Sequence, residues 1–199
     1  MSKGVLYIIS GPSGTGKGTI CAELVRRGDV FLSVSSTTRK MRENEIDGES
    51  YNFTDRAGFQ AMIDGGLMLE WAEYNGNFYG TPRESVEKEL ERGRNVILEI
   101  EPQGALKVKE KMPEAVLIFI TPPSVDTLFE RLRGRGTETT EQIAARVAAA
   151  GWELSQAYKY NYIIENDDLE LCVARVCEVM RGVREMRDGV DRLLLQLRS

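Results

Sequence analysis

Glycine, lysine and threonine are concentrated in one short segment near the start of the chain, between an apolar run and a helical pattern. The phosphates of a nucleoside triphosphate need a loop whose backbone N–H groups converge on their oxygens, a helix N-terminus and a lysine to offset their charge. All three are present, so the segment predicts a P-loop that binds a nucleoside triphosphate. Its residues are Gly11, Pro12, Ser13, Gly14, Thr15, Gly16, Lys17, Gly18 and Thr19.

One position of this loop departs from the usual P-loop pattern. Gly18 stands where a Ser or Thr commonly offers its hydroxyl to Mg²⁺, and the hydroxyl is displaced by one residue, to Thr19. Direct ligation by the loop and ligation through water both remain open. The pattern favours Mg²⁺ as a cofactor that arrives with the triphosphate and is held largely through water and the phosphates.

A P-loop does not identify the acceptor, since regulatory GTPases, motor ATPases and small-molecule kinases share it. The sequence contains no Asn-Lys-x-Asp guanine motif. This absence disfavours a regulatory GTPase and favours a kinase that acts on a small molecule.

The elements that would position this loop are short β-rich apolar runs that alternate with helical patterns. The runs lie at 5–10, 95–100, 115–120 and 160–165. Such alternation is typical of an α/β fold, with a central parallel sheet covered by helices on both faces.

The segment 31–92 interrupts this alternation. Short strand patterns appear around 51–53 and 69–74, an Asn-Gly turn follows at 75–76, and a helical pattern begins near Pro82. We therefore expect a small inserted region here.

A second interruption, 133–142, carries two glycines among arginines and threonines between two helical patterns, which is typical of a mobile lid. From Asp168 the pattern is helical to the end of the chain. The leucines at 193–195 and 197 exceed what one narrow helical stripe needs. They fit either packing onto the core or a surface for self-association into a homo-oligomer.

The composition excludes several kinds of chemistry. The 199 residues include no histidine, which excludes an imidazole base, and three cysteines, which leave no Cys/His zinc site. The net charge of −5 argues against partners such as nucleic acid or an anionic membrane bound through bulk positive charge. An odd number of cysteines and the short first apolar run predict a cytoplasmic protein.

Six further segments resemble, in order and spacing, the guanylate kinase family, and together they span nearly the whole chain. They are SSTTRKMR (35–42), GESYNF (48–53), EWAEYNGNFYGT (70–81), LEIEPQG (98–104), RLRGRGTET (131–139) and ENDDL (165–169). The resemblance implies transfer of the γ-phosphoryl group of ATP to GMP, and to dGMP, giving ADP and GDP. It implies a P-loop kinase core (1–34, 93–130 and 151–199), an α+β GMP-binding insert (35–92) and a helical lid (131–150).

The resemblance also assigns roles to individual residues. Guanine presents N1–H and a 2-amino group as neighbouring donors, so a carboxylate and a hydroxyl suit it. Glu70 matches the carboxylate, and Ser35 and Thr81 match the hydroxyl positions. The resemblance places the GMP phosphate on Arg39, Arg42, Tyr51 and Tyr79.

Other matched positions concern ATP and the transfer step. Glu99 and Glu101 are two residues apart at the end of a strand pattern and are expected to face the nucleotide, as acidic groups on the GMP side. Many family members have Asp where Glu101 stands. Asn166 matches the position that holds the ATP adenine. With Lys17, the predicted catalytic groups are Arg131, Arg135 and Arg146.

Two alternatives remain open from the sequence. One is a kinase for a different nucleoside monophosphate. The other is a guanylate-kinase-like module without catalysis, which would bind peptides in the GMP-side cleft.

Overall fold

The computed structural model describes residues 3–28, 30–74, 76–134 and 140–182. The strands in these ranges are β1 (Leu6–Ser10), β2 (Val30–Leu32), β3 (Ser36–Thr37), β4 (Asn52–Phe53), β5 (Met68–Tyr74), β6 (Asn77–Pro82), β7 (Asn95–Glu99), β8 (Val116–Thr121) and β9 (Tyr162–Glu165). The helices are α1 (Lys17–Arg27), α2 (Arg56–Asp64), α3 (Arg83–Glu91), α4 (Pro102–Lys111), α5 (Val125–Arg133), α6 (Thr140–Ser155) and α7 (Leu169–Met180), and a 3₁₀ turn spans Ala157–Lys159.

Five strands form one sheet in the order β2-β7-β1-β8-β9. β2 runs parallel to β7, and β8 runs parallel to β9. The Val96 N–H donates to the Val5 carbonyl oxygen, and the Ile100 N–H donates to that of Ile9. Residue numbers rise together in the two strands, so β7 and β1 are parallel as well. The predicted α/β fold with a parallel sheet is confirmed.

The four predicted core strands are all present, and their burial explains their composition. Every residue of β1 is buried, and so are the last five residues of β8. A parallel strand covered on both faces must be apolar on both, so it reads as a continuous hydrophobic run.

Two elements have no clear signal in the sequence. β2 pairs in parallel with residues 95–97, although Phe31 and Leu32 belong to the predicted interruption at 31–92. Its three residues are half-buried and too few to show a period. The interruption therefore begins after Leu32. α2, which starts at an Asp55 cap, is likewise absent from the prediction.

Backbone contacts divide the chain into two compact units. The first comprises Met1–Tyr7, Asp29–Leu98 and Gln103–Ala115. The second comprises Ile8–Gly28, Glu99–Pro102 and Val116–Ser199.

The first unit contains a four-stranded sheet in the order β4-β3-β6-β5, so β5 lies at one edge. β3 and β6 are antiparallel, as are β5 and β6. The Phe59 ring of α2 packs 5.4 Å from the Phe78 ring. Glycine at position 80 permits this packing, because a Cβ there would lie 3.1 Å from the Phe59 ring and 2.8 Å from the Glu70 carbonyl oxygen.

In the second unit, capping side chains fix the start of two helices. The Ser124 hydroxyl accepts from the Thr127 backbone N–H at 3.0 Å, and the Asp168 carboxylate accepts from that of Leu171 at 2.9 Å. These caps satisfy N–H groups that a helix leaves without partners at its first turn. The helical pattern predicted from Asp168 is confirmed through Met180.

Some predictions concern residues outside the described ranges and stay predictions. These are Asn75 of the turn, Arg135 and its neighbours at 136–139 in the lid, and the leucines at 193–195 and 197. Among the helices that the structure does describe, none combines the length and the hydropathy of a membrane span.

Candidate nucleotide-binding sites

The segment between β1 and α1 forms a loop built on glycines with positive φ. Gly11, Gly14 and Gly16 have φ values of 142°, 92° and 87°, which side-chain-bearing residues rarely adopt. A Cβ at Gly11 would also lie 2.2 Å from the Ile120 carbonyl oxygen. Because α1 begins at Lys17, its unpaired N–H groups face this loop, which makes it an anion site.

Lys17 supplies a cation to the same loop. Its Nζ donates to the carbonyl oxygens of Gly11 and Pro12, at 2.7 and 3.0 Å. Burial lowers the pKa of Lys17, and the negative charges of Glu99, Glu153 and Glu101 raise it. The ammonium group can exchange its carbonyl partners for phosphate oxygens, which are stronger acceptors.

The two predicted glutamates lie on different parts of the backbone. β7 ends at Glu99, whereas Glu101 lies in the connection before α4, so the strand alternation expected for both applies to Glu99 alone. A Cβ on Gly18 would lie 3.6 Å from both carboxylate oxygens of Glu99. The Glu99 carboxylate therefore borders the position where P-loops usually carry a hydroxyl.

Asn166 joins three parts of the second unit. It is 5 % exposed. Its Nδ2 donates to the Thr15 carbonyl oxygen at 2.8 Å, and its backbone N–H donates to that of Thr121 at 2.8 Å. Its own carbonyl oxygen accepts from Arg131 Nη2 at 3.0 Å. The side chain thus braces the P-loop, a role that the sequence did not reveal.

A cavity of about 460 Å³ opens beside this junction. Among the described residues, Arg131 Nη1 is one of the buried polar atoms without a hydrogen-bond partner, so it offers a donor at this cavity. The lining residues are Gly14, Gly16, Thr19, Arg131, Asn166, Asp167, Asp168 and Leu169.

The α6 side chains Arg146 and Glu153 also approach the loop. An Nη1 hydrogen bond joins Arg146 to the Ser13 hydroxyl. Burial raises the pKa of Glu153 to about 7, the charges of Lys17 and Arg146 act to lower it, and that of Glu101 acts to raise it. The second unit contains three of the predicted catalytic residues, Lys17, Arg131 and Arg146.

In the first unit, β5 and β6 place Glu70 opposite Thr81. Both residues are buried, with 5 % and 0 % exposure. The Thr81 hydroxyl donates to Glu70 Oε1 at 2.8 Å. Burial raises the pKa of Glu70, whereas this hydrogen bond and the charges of Lys107 and Lys111 lower it. The Thr81 backbone N–H also acts on this carboxylate and lowers the pKa of Glu70.

Arg39, Tyr51 and Tyr79 form a second cluster in this unit. The Arg39 guanidinium lies 5.4 Å from the centre of the Tyr51 ring, and the Tyr51 and Tyr79 rings are 6.1 Å apart. Both carboxylate oxygens of Glu45 accept hydrogen bonds from Arg39, Oε1 from Nη2 at 2.6 Å and Oε2 from Nη1 at 3.0 Å. These hydrogen bonds raise the pKa of Arg39 and lower that of Glu45. A planar guanidinium flanked by two phenols suits a phosphate.

Arg42 and Ser35 are placed less tightly. Arg42 is exposed, and its backbone N–H donates to Glu45 Oε2 at 2.8 Å. Ser35 is half-buried just before β3, and its carbonyl oxygen accepts from the Asn52 N–H at 2.9 Å. Among the described residues, the Arg42 guanidinium and the Ser35 hydroxyl have no hydrogen-bond partner, so neither joins the Glu70 or the Arg39 cluster.

Sequence reasoning missed Glu45 and Glu153. Glu45 lies six residues after Arg39, in a run of mixed charge that reads as an exposed loop. Glu153 lies seven residues after Arg146 in a helical pattern, and this spacing places both on one helical face. That periodicity could have identified Glu153, whereas nothing in the pattern distinguishes Glu45 from its charged neighbours.

Known proteins resemble this chain over most of its length. A family model described as guanylate kinase matches residues 3–183. The chain is 50 % identical over 175 residues to a guanylate kinase of Halalkalibacterium halodurans, covering 87 % of this chain and 86 % of that protein. It is 46 % identical over 198 residues to one of Caldanaerobacter subterraneus, covering 99 % and 96 %. The crystal structure of guanylate kinase from Anaplasma phagocytophilum matches 92 % of this chain and 87 % of that one, with a TM-score of 0.75 and 36 % identity.

Proposed function

Because this chain belongs to the guanylate kinase family, we propose that it transfers the γ-phosphoryl group of ATP to GMP, giving ADP and GDP. dGMP presents the same base and is expected to serve as an acceptor too. The observation that carries the proposal is the buried pair of Glu70 and Thr81, joined at 2.8 Å in the first unit.

This pair provides what recognition of guanine requires. An ionised Glu70 accepts from guanine N1–H and the 2-amino group, while adenine offers no such pair of donors. The Thr81 hydroxyl holds one carboxylate oxygen in place. The half-buried Ser35 is proposed to add a hydroxyl contact to the base.

The phosphate of GMP is proposed to bind Arg39, Arg42, Tyr51 and Tyr79. In this scheme the phosphate competes with Glu45 for the Arg39 guanidinium, since both present two oxygens to its planar fork. The exposed Arg42 would turn toward the phosphate and add a second positive charge.

ATP is proposed to bind in the second unit. Its phosphates occupy the glycine loop at the start of α1, with Lys17 exchanging its carbonyl partners for phosphate oxygens. The adenine lies in the cavity beside Asn166, where Arg131 offers an unpaired N–H group.

Mg²⁺ fits the residues around the loop only as an ion held mainly by phosphates and water. The described residues contain no group of three or more His, Cys, Asp or Glu side chains that could hold a metal ion. The exposed Thr19 hydroxyl and the Glu99 carboxylate beside Gly18 would hold its water shell, and Glu101 would add negative charge nearby. Bound Mg²⁺ neutralises charge on the phosphates.

The transfer itself needs no histidine or other general base. A nucleoside monophosphate is largely ionised at neutral pH, so its oxygen is already a nucleophile. The proposed tasks of the protein are to align the two nucleotides and to offset their negative charge, through Lys17, Arg131, Arg135 and Arg146.

We assign these tasks to regions of the chain as predicted from the sequence. Residues 35–92 form the GMP-binding insert, and residues 131–150 form a lid whose arginines approach the phosphates and exclude water on closure. The core comprises 1–34, 93–130 and 151–199. Cys21, Cys172 and Cys177 are free thiols, which supports a reducing compartment such as the cytoplasm.

A substrate panel tests the proposed activity. ADP release is measured with ATP and Mg²⁺ in the presence of GMP, dGMP, AMP, UMP or dTMP. We expect rapid release with GMP and dGMP alone. Comparable turnover with AMP, or none with GMP, would overturn the proposal, and the same panel would then identify a kinase for a different monophosphate.

A further inference from the structure

Two lysines of α4 hold the edge strand that carries Glu70. Because β5 lies at the end of the four-stranded sheet, alternate carbonyl groups along it have no partner strand. Lys111 Nζ donates to the Leu69 carbonyl oxygen at 2.6 Å, and Lys107 Nζ donates to that of Trp71 at 3.0 Å. The two lysines therefore bind the backbone on either side of Glu70.

The spacing of these contacts follows from the geometry of a helix beside a strand. Residues four apart in a helix are separated by about 6 Å along its axis. Carbonyl groups two apart in a strand point the same way and are separated by roughly 6.8 Å. Lys107 and Lys111 thus match Trp71 and Leu69 in register, with α4 running antiparallel to β5.

The ring of Trp71 adds a further contact to this arrangement. Lys107 Nζ lies 5.9 Å from the centre of the Trp71 ring. The Phe78 ring also packs against Trp71, with the two ring centres 5.8 Å apart in an edge-on orientation. One lysine therefore holds both the backbone and the side chain of the residue that follows Glu70.

The same two cations act on the buried carboxylate between them. The groups that act on Glu70 are the hydroxyl and the backbone N–H of Thr81 from β6 and the charges of Lys107 and Lys111 from α4. Burial favours the protonated form of a carboxyl group, and nearby positive charge favours the ionised form. Protonated, Glu70 would itself be a donor and would oppose the N–H groups of guanine.

We infer that Lys107 and Lys111 are positioning residues for guanine recognition, which fix the β5 backbone around Glu70 and keep its carboxylate ionised. This inference rests on the proposed function, in which Glu70 reads the base. It assigns α4 a part in substrate selection, through its contacts with the β5 backbone.

The test compares Lys107→Met/Lys111→Met with wild type in the full-length protein. Methionine keeps the length of each stem and removes its charge and donors. We expect KM for GMP to rise by about tenfold or more, while KM for ATP stays within about twofold. Since loss of both charges raises the pKa of Glu70 further, the acidic fall of kcat/KM for GMP should move to higher pH. Lys107→Arg/Lys111→Arg, which keeps both charges, should restore the wild-type pH profile.

Lys109→Met is the matched control on the same helix. Lys109 Nζ donates to the carbonyl oxygens of Pro113 and Ala115, away from β5. It should therefore leave KM for GMP and the pH profile unchanged, whatever it does to stability. Equal effects of the double variant on GMP and ATP, or an acidic limb that does not move, would overturn the inference.

A second measurement separates this inference from the proposed function. The pKa of Glu70 is followed by the ¹³C shift of its carboxyl group, without nucleotide, in wild type and Lys107→Met/Lys111→Met. We expect a higher pKa in the variant, and an unchanged pKa would contradict the inference even if wild type phosphorylates GMP. Failure of wild type to phosphorylate GMP would instead refute the proposed function.

Discussion

The two compact units hold charges of opposite sign, the half-buried Lys17 in one and the buried Glu70 in the other, and each charge is surrounded by groups of the opposite charge. In the second unit, Glu99, Glu153 and Glu101 raise the pKa of Lys17 against the effect of burial. In the first unit, Lys107 and Lys111 lower the pKa of Glu70 against the same effect. In both units the surrounding charges favour the charged form, which is the form that binds an ionic or polar ligand, but they only partly offset burial, so the pKa of Lys17 is lowered and that of Glu70 is raised.

The units differ in how this arrangement is encoded. The P-loop is nine consecutive residues, and a loop of this kind offers phosphate mainly backbone N–H groups. The pair that we propose binds guanine depends instead on the register of β5 and β6 and on α4, which contacts β5 across 36 and 42 positions of sequence. The proposed phosphate site is thus local in the sequence, whereas the proposed base site requires an assembled sheet and helix.

The largest expected effect comes from removing the half-buried cation of the loop. Lys17→Met should lower kcat by about 10³-fold or more, because no other group of the loop carries positive charge to the transferring phosphate. Initial rates of ADP release with saturating ATP and GMP measure this. Lys88→Met, an exposed position in α3, is the control and should retain full activity. A loss below tenfold at Lys17 would show that the arginines alone offset the charge.

Removing the buried anion tests the other half of the comparison. Glu70→Gln should lower kcat/KM for GMP by roughly 10²-fold, because an amide presents a donor to the donors of guanine. KM for ATP should change little. Glu73→Gln, on the same strand but exposed, should behave as wild type. Unchanged kinetics in Glu70→Gln would remove Glu70 from the site.

The carboxylates around Lys17 predict a dependence of stability on pH. Glu153 has a pKa of about 7 in the folded protein, so between its unfolded value and pH 7 the native state binds a proton that the unfolded state lacks. Its contribution to the free energy of unfolding therefore falls as pH rises through this window. Between pH 5.5 and 8, wild type should lose about 2 kcal/mol more than Glu153→Gln.

Urea unfolding at both pH values measures this difference. Glu178→Gln, which replaces an exposed carboxylate in α7, should lose as much stability as wild type over the same interval. Parallel losses in wild type and Glu153→Gln would mean that Glu153 is ionised throughout, and the charges around Lys17 would then need a different account.

The smallest effect is expected for the hydroxyl beside Glu70. Thr81→Ala removes the 2.8 Å hydrogen bond to Oε1 and should lower kcat/KM for GMP by about tenfold. Thr81→Ser keeps the hydroxyl and should recover most of the loss. If alanine and serine lose activity equally, the methyl group of Thr81 matters rather than its hydrogen bond.

The sequence predicts the parts of this protein whose signals are local. Strands buried on both faces are apolar at nearly every position, so the sequence predicts β1, β7, β8 and β9. The P-loop can be predicted because the glycines, the lysine and the helix start that enclose phosphates must be contiguous in sequence. These two signals, with the ordered segments that follow, identify the fold and the family.

What the sequence does not predict depends on distant pairing. β2 has three half-buried residues and gains its place only by pairing with β7. In the sequence Glu45 cannot be told from its charged neighbours, and only the structure shows its ion pair with Arg39. Asn166 lies 151 positions from the Thr15 carbonyl group that it braces, so only the assembled unit shows its contact with the P-loop.

The position of β5 at a sheet border has a consequence for solution behaviour. A bare strand border exposes backbone carbonyl groups to other molecules and invites intermolecular β-pairing. Lys107 and Lys111 already donate to the carbonyl groups of Trp71 and Leu69. A strand from a neighbouring molecule would therefore find fewer free acceptors along β5 and would meet positive charge there. The same contacts would thus protect this protein from aggregation while it is concentrated and unliganded.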